Sequence, residues 1–238
     1  MPAAPGLPSP LRARSLTLAL HYRRATAVDA GTIELAFRRP LASRWWAEAA
    51  IGLQLGETDG RRALTLTNPR LGLGLVLGPR LIATADLGLP AASATGDDGA
   101  FVATHAGLAV VDPAPLAPRT TTIAAAISPR RVAGKAFVQL RLGGSLLVPS
   151  DGATRLLLHA DIGGGIAVAG PVRLAATLAT TSYLLVEQDG DDFVHRLTLA
   201  AQIVDRAAEL TVGVAAPLDR RERDRDLVEL TLTFRARF

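Results

Sequence analysis

The sequence predicts an all-β fold, a single antiparallel transmembrane β-barrel with a preferred count of 12 strands and ten or 14 as alternatives. Short segments of alternating apolar and polar residues recur along the 238 residues. Most of them approach the 9–11 residues that a tilted strand needs to cross a bilayer. Turn residues separate the segments, and short connections alternate with longer ones. No stretch of 18 uncharged apolar residues could form a transmembrane helix.

The composition excludes several other classes of protein. Cysteine is absent, so the chain has neither a disulfide framework nor a thiolate metal site. The sequence pI is about 10.5, but Lys135 is the single lysine and the arginines are scattered along the segments rather than clustered with aromatic residues. Binding to nucleic acid is therefore not expected. Residues 1–13 contain four prolines and no periodicity, which predicts a flexible leader before a barrel domain at 14–238.

The first half of the chain is predicted to hold six strands. Leu16, Leu18 and Leu20 alternate with polar residues in the first strand, and the others repeat this pattern. The predicted strands are 15–23, 32–38, 47–55, 64–75, 81–89 and 101–110. The apolar phase of the fourth changes across Asn68-Pro69, as an inserted bulge would make it. Residues 111–134 are expected to form a connection with a proline-rich turn and a short helix over 120–127; were 120–127 a strand, it would need a further partner.

The second half of the chain alternates more regularly. Its predicted strands are 138–148, 156–166, 172–178, 197–203, 210–218 and 227–238. A soluble β-sandwich would show the same alternation, because it buries its apolar face and leaves the polar face in water. Closure into a barrel removes unpaired edges, as lipid requires. Trp45, Trp46, Tyr22 and Phe37 could supply part of an aromatic girdle at the membrane interface.

The last strand carries a more specific signal. Its alternation continues to the carboxyl terminus, and the chain ends on Phe238 in phase with the apolar residues. This strand resembles the closing strand of bacterial outer-membrane β-barrels. The resemblance implies residence in the bacterial outer membrane, contact with lipid and lipopolysaccharide, and assembly by the barrel assembly machinery, with Phe234 and Phe238 as its signal. Because residues 1–8 lack the pattern of a secretory signal, the resemblance also implies a signal peptide upstream.

A weaker resemblance concerns two internal stretches. Asn68-Pro-Arg-Leu-Gly72 and Leu87-Gly-Leu-Pro90 are similar to stretches in uncharacterised porin-like barrels of GC-rich proteobacteria. This resemblance implies no particular solute.

The polar phase of the strands predicts the lining of the lumen. The predicted lining residues are Arg23, Glu34, Arg38, Glu48, Asp86, Arg141, Arg155, His159, Asp161, Arg173, Arg196, Glu209, Glu229, Arg235 and Arg237. If the acids lie apart from the bases, they create a transverse field that orients polar solutes, as in channels. If they pair, they fill the narrow interior of a 12-stranded barrel and close it.

Three functions fit such a barrel. The first is a small channel for ions or small polar solutes with a lumen lined by Arg and Glu. The second is a closed barrel that serves as a structural or anchoring subunit of an envelope machine for motility or secretion, with envelope proteins as partners. A lipid-modifying enzyme is third. His159 and Asp161 could join a serine in a hydrolytic site, but a hydrogen-bonded or salt-bridged pair in the lumen is the simpler interpretation. No cofactor is expected, and His21, His105 and His195 lack the spacing of a metal site.

Overall fold

The computed structural model describes residues 13–25, 28–58, 61–92, 116–184, 193–219 and 227–238. The predicted leader, apart from residue 13, and the predicted strand 101–110 lie outside these residues. Among the described residues no helix is long and apolar enough to span a membrane.

The described residues form 13 strand segments. They are β1 (Ser15–Ala25), β2 (Val28–Pro40), β3 (Trp45–Thr58), β4 (Arg61–Leu66), β5 (Arg70–Gly78), β6 (Leu81–Gly88), β7 (Thr120–Ala133), β8 (Ala136–Pro149), β9 (Arg155–Ala169), β10 (Val172–Leu184), β11 (Phe193–Val204), β12 (Ala208–Pro217) and β13 (Val228–Arg237). Each pairs antiparallel with its neighbours, and β13 pairs with β1, so the sheet closes on itself. Since β4 and β5 both lie along β3, the closed barrel has 12 strands, and the predicted fold class is confirmed.

The break between β4 and β5 lies at the predicted change of phase. Leu66 of β4 is opposite Leu53, and Arg70 of β5 is opposite Ala50. The four residue steps from Leu66 to Arg70 therefore face only three residue steps along β3. The extra residue brings Asn68 to a buried position. Pro69, which has no backbone N–H to donate, lies in this irregular stretch, where a ladder hydrogen bond is not required.

The prediction of a short helix over 120–127 within a connection was wrong. Thr120–Ala133 is strand β7, which pairs with β6 on one side and with β8 on the other. The strand was missed because alanines occupy both of its faces: Ala125 is exposed beside Ile123 and Ile127, while Ala126 on the other face is buried. β7 is the strand beside β6, and the chain between them, here called the connection between β6 and β7, is 89–119, of which 89–92 and 116–119 are described.

The two ends of the barrel differ. One end, here called the terminal rim, holds the start of β1, the end of β13 and the connections 41–44, 79–80, 134–135, 170–171 and 205–207. The ladder continues there beyond the strands, because Arg14 and Phe238 exchange backbone hydrogen bonds of 3.0 Å. The other end, the opposite rim, holds two connections of two residues, 26–27 and 59–60, and four that are longer than any at the terminal rim: 89–119, 150–154, 185–192 and 218–227.

The outer surface of the barrel is apolar. Large side chains such as Leu71, Ile123 and Leu199 are more than half exposed there, whereas Gln54 and Thr181 on the inner face are almost fully buried. A soluble sandwich would bury the apolar phase instead. The exposure of this phase around a closed sheet is the arrangement that a lipid bilayer requires.

Candidate functional site

The candidate site is the inner wall of the barrel. All 15 predicted lining residues lie in the strand phase opposite to the exposed leucines, isoleucines and valines. They form separate clusters along the wall, and Arg155 lies at the start of β9, exposed at the opposite rim.

The largest cluster surrounds Glu229. Its carboxylate accepts from His21 Nδ1 at 2.9 Å, from Arg23 Nη2 at 3.3 Å and from Arg196 Nη1 at 2.6 Å. The Glu229 side chain is 8% exposed, so the three partners replace the water that the carboxylate loses. Register brings them together, because Arg23 on β1 is directly opposite Glu229 on β13.

A second cluster surrounds Glu209 at the terminal rim. Arg237 Nη2 donates to Glu209 Oε2 at 2.6 Å, and Arg235 Nη1 lies 3.9 Å from the same oxygen. Arg235 Nε also donates to Thr17 Oγ1 at 3.1 Å, and Arg237 Nη1 donates to the carbonyl of Asp205 at 3.0 Å. Both guanidinium groups are therefore fixed in position on the last strand.

The remaining ion pairs join near neighbours along the wall. Arg38 and Glu48 lie 2.6 Å apart on adjacent strands, and Arg141 lies 3.6 Å from Asp161 on the next strand. The third pair, Arg70 and Glu34 at 2.8 Å, crosses only β3. The acids thus pair with the bases, but the pairs follow the wall instead of bridging the barrel.

Several of these inward charges are accessible to water. The Arg141 side chain is 47% exposed although it shares the inward phase with the buried Ser145 and Leu147. Glu48 and Arg70 are 32% and 31% exposed. The interior beside these side chains is therefore wide enough to admit water, which tightly packed pairs would exclude.

His159 lies between two hydroxyl groups from the neighbouring strands. Its Nε2 lies 3.1 Å from Ser145 Oγ and its Nδ1 lies 3.2 Å from Thr181 Oγ1, whereas Asp161 faces Arg141. The register of β8 and β9 places Arg141, and not His159, directly opposite Asp161. A Ser-His-Asp site needs the carboxylate on the second ring nitrogen, and a threonine hydroxyl occupies that place.

Two arginines at the terminal rim stack on aromatic rings. The Arg38 guanidinium lies 5.3 Å from the Trp46 ring centre, and the Arg130 guanidinium lies 4.8 Å from that of Phe137. Each ring lies over a glycine: a Cβ at Gly74 would overlap the indole of Trp46, and one at Gly165 would come within 2.6 Å of the Phe137 ring. The glycines therefore provide flat places on the wall for the rings, and the rings support the arginines.

Asn68 fixes the connection between β6 and β7 to the inner wall. Its Oδ1 accepts from the backbone N–H groups of Ala91 and Ala92, at 3.0 and 2.8 Å. Its Nδ2 donates to the carbonyl of Ala117 at 2.7 Å. Beside it, Ala117 packs with Leu147 and Leu157. One side chain at the strand break thus holds both described ends of the connection.

Exposed aromatic residues lie on the outer surface of the barrel near both rims. Phe37 stacks on Phe238 with ring centres 6.5 Å apart, near Trp45 at the terminal rim, while Tyr22 lies near the opposite rim. Trp46 was wrongly assigned to this girdle: it is 5% exposed and points inward, because it follows the outward Trp45 by one residue.

Sequence reasoning missed some residues of the inner wall. Arg70 could have been found, because the change of phase at Asn68 places it with Gly72 and Gly74. Arg130 could not, because its strand was assigned to a connection. Within the described ranges, no group of three His, Asp or Glu side chains is placed to hold a metal ion.

The barrel resembles solved structures of membrane channels. No protein-family model matches the chain, and no curated protein matches it. The COG4313 outer membrane channel from Pseudomonas putida F1 superposes with a TM-score of 0.70 at 14% identity, over 100% of both chains. The chain has the fold of outer-membrane channels and porins. The NanC porin matches with a TM-score of 0.57 at 10% identity, over 94% of this chain and 98% of that one. The KdgM porin matches with a TM-score of 0.55 at 8% identity, over 93% and 99%.

Proposed function

We propose that this protein is a channel of the bacterial outer membrane that passes ions or small polar solutes through a lumen lined by Arg and Glu. The observation that carries the proposal is the accessibility of charged side chains inside a closed barrel, with Arg141 47% exposed. Ion pairs that follow the wall leave a polar path along the axis. Fixed charges at close range then determine which solutes enter.

The apolar exterior and the shared fold support the location. Lipid contacts the outward leucines, isoleucines and valines, and lipopolysaccharide contacts the opposite rim. The barrel assembly machinery is the proposed partner during insertion, because Phe234 and Phe238 are exposed in the apolar phase of the closing strand. Catalysis is not part of the proposal.

A closed barrel that anchors an envelope machine is the second candidate. The observation in its favour is the attachment of the β6–β7 connection to the inner wall, where Leu116 and Ala117 are buried and Asn68 holds both sides. These residues narrow the barrel near the opposite rim.

Conductance in planar bilayers separates the two candidates. Purified protein, shown to be folded by heat-modifiable migration on a gel, should give discrete current steps. Ala175→Trp adds bulk to the inner face and should lower the step size, whereas the matched Ala176→Trp adds the same bulk to the exposed outer face and should leave it unchanged. The absence of steps at any voltage would refute the channel and favour the anchoring role.

A further inference from the structure

The inner wall is unevenly charged along its length. Near the terminal rim, five inward arginines lie within the four strand residues closest to that end: Arg38, Arg130, Arg173, Arg235 and Arg237. Two inward carboxylates, Glu48 and Glu209, occupy the same zone. The zone, here called the arginine zone, therefore has an excess of three positive charges among the described residues.

The rest of the described inner wall is close to neutral. Five arginines there face four carboxylates, which are Glu34, Asp86, Asp161 and Glu229, so the net charge is one positive charge. One of these arginines, Arg155, lies at the opposite rim. The positive excess is thus concentrated at one end of the barrel, which a solute must cross whatever its path through the remainder.

The arginine zone extends around the wall. Its members lie on β2, β7, β10 and β13, so the cations approach the axis from several sides. Arg173 interacts electrostatically with Arg130 and Arg237 and also with Glu209, whose attraction is stronger than the repulsion from Arg237. Glu48 and Glu209 balance two of the five arginines, and a solute anion among the remaining positive charges relieves their mutual repulsion.

The cations are held in place by their surroundings. Arg38 and Arg130 are supported by Trp46 and Phe137, and Arg235 is held by Thr17. Stacking occupies the face of a guanidinium, while its N–H groups around the edge are the donors that suit carboxylates and phosphates.

We propose that the arginine zone makes this channel anion-selective, with small anions such as chloride and small carboxylates as its solutes. This inference rests on the proposed channel function. A passage with walls of one sign raises the local concentration of counter-ions, here by about tenfold at low salt, the lower end of the usual range. The preference should weaken as ionic strength rises, because salt screens the wall charges.

The test is the reversal potential of single channels across a tenfold gradient of KCl. The wild-type reversal potential should have the sign of chloride selectivity and should shrink when both solutions are made more concentrated at the same ratio. A double variant, Arg130→Gln with Arg173→Gln, should move it towards zero. The matched control is Arg131→Gln, because Arg131 follows Arg130 on β7 but is exposed in the outward phase, and it should leave the reversal potential unchanged.

The outcomes separate the two proposals. Current steps with cation selectivity, or with no selectivity, would overturn the anion inference and leave the channel intact. A double variant that conducts with an unaltered reversal potential would also overturn it. The absence of steps in wild-type protein would refute the channel function and the inference together. Should the double variant fail to fold on the heat-modifiability test, the wild-type sign and its salt dependence still decide the question.

Discussion

Glu229 is the residue whose neutralisation is expected to destabilise the barrel most. Glu229→Gln keeps the size of the side chain and removes the counter-charge of His21, Arg23 and Arg196, which lie within 3.3 Å. Breaking one partner of a buried ion pair costs about 3–5 kcal/mol. Arg196 is 29% exposed to the lumen and keeps some water, so the expected loss is about 3 kcal/mol, at the lower end of that range.

The measurement is the free energy of unfolding in lipid vesicles, from urea titrations followed by tryptophan fluorescence. Glu48→Gln is the matched control, because Glu48 also pairs with an arginine but is 32% exposed, and it should cost no more than about 1 kcal/mol. Adding Arg196→Gln to Glu229→Gln should recover part of the loss, since it removes one uncompensated cation. Equal losses for Glu229→Gln and Glu48→Gln would refute the assignment of Glu229 as the centre of a buried cluster.

Three further predictions concern the connection, the glycine stacks and the last strand. Asn68→Ala should speed hydrogen exchange of the Ala91 and Ala92 amides, which donate to the Asn68 side chain. Asn68→Asp keeps the acceptor oxygen and should speed the exchange less. Unchanged exchange in Asn68→Ala would contradict the attachment of the connection by Asn68. Gly74→Val should displace the Trp46 ring and lower the free energy of unfolding by about 2 kcal/mol. Gly78→Val should lower it much less, because a Cβ at Gly78 meets nothing within 4 Å. Equal losses for the two variants would contradict the packing of the Trp46 ring over Gly74. Phe238→Ala should reduce the amount of folded, heat-modifiable protein in cells. Phe193→Ala should leave that amount unchanged, because Phe193 is exposed near the opposite rim. A full yield of folded Phe238→Ala protein would show that Phe238 is not part of the assembly signal.

Alternation predicted most of the barrel because each strand has two chemically different faces. Val228 to Phe238 was clear, since large apolar residues face lipid and charged or hydroxyl residues face inward. β7 was hidden because alanine fits either face. The total of 12 was right although β7 had been assigned to a connection, because β7 takes the place beside β6 that the prediction gave to 101–110, a stretch outside the described residues.

The pairing inside the barrel was beyond reach of the sequence. Alternation places Glu229 and Arg196 on the inner face but does not show that the ion pair crosses β12, which depends on the stagger between strands. The same limit applied to His159, whose neighbours Ser145 and Thr181 come from two other strands. Strand phase is local in sequence, whereas register is set by the whole closed sheet.

The apolar face of the sheet should meet lipid while the polar face meets water inside the barrel. The chain contains no cysteine, so single cysteines can be placed without removing others. The most direct measurement introduces them one at a time at residues 174–178 of β10 and labels folded protein in vesicles with a charged, water-soluble thiol reagent. Labelling should be fast at Ala175 and Thr177, which face inward, and slow at Leu174, Ala176 and Leu178, which face outward. Fast labelling at the outward positions, or none at the inward ones, would contradict a water-filled barrel in a membrane.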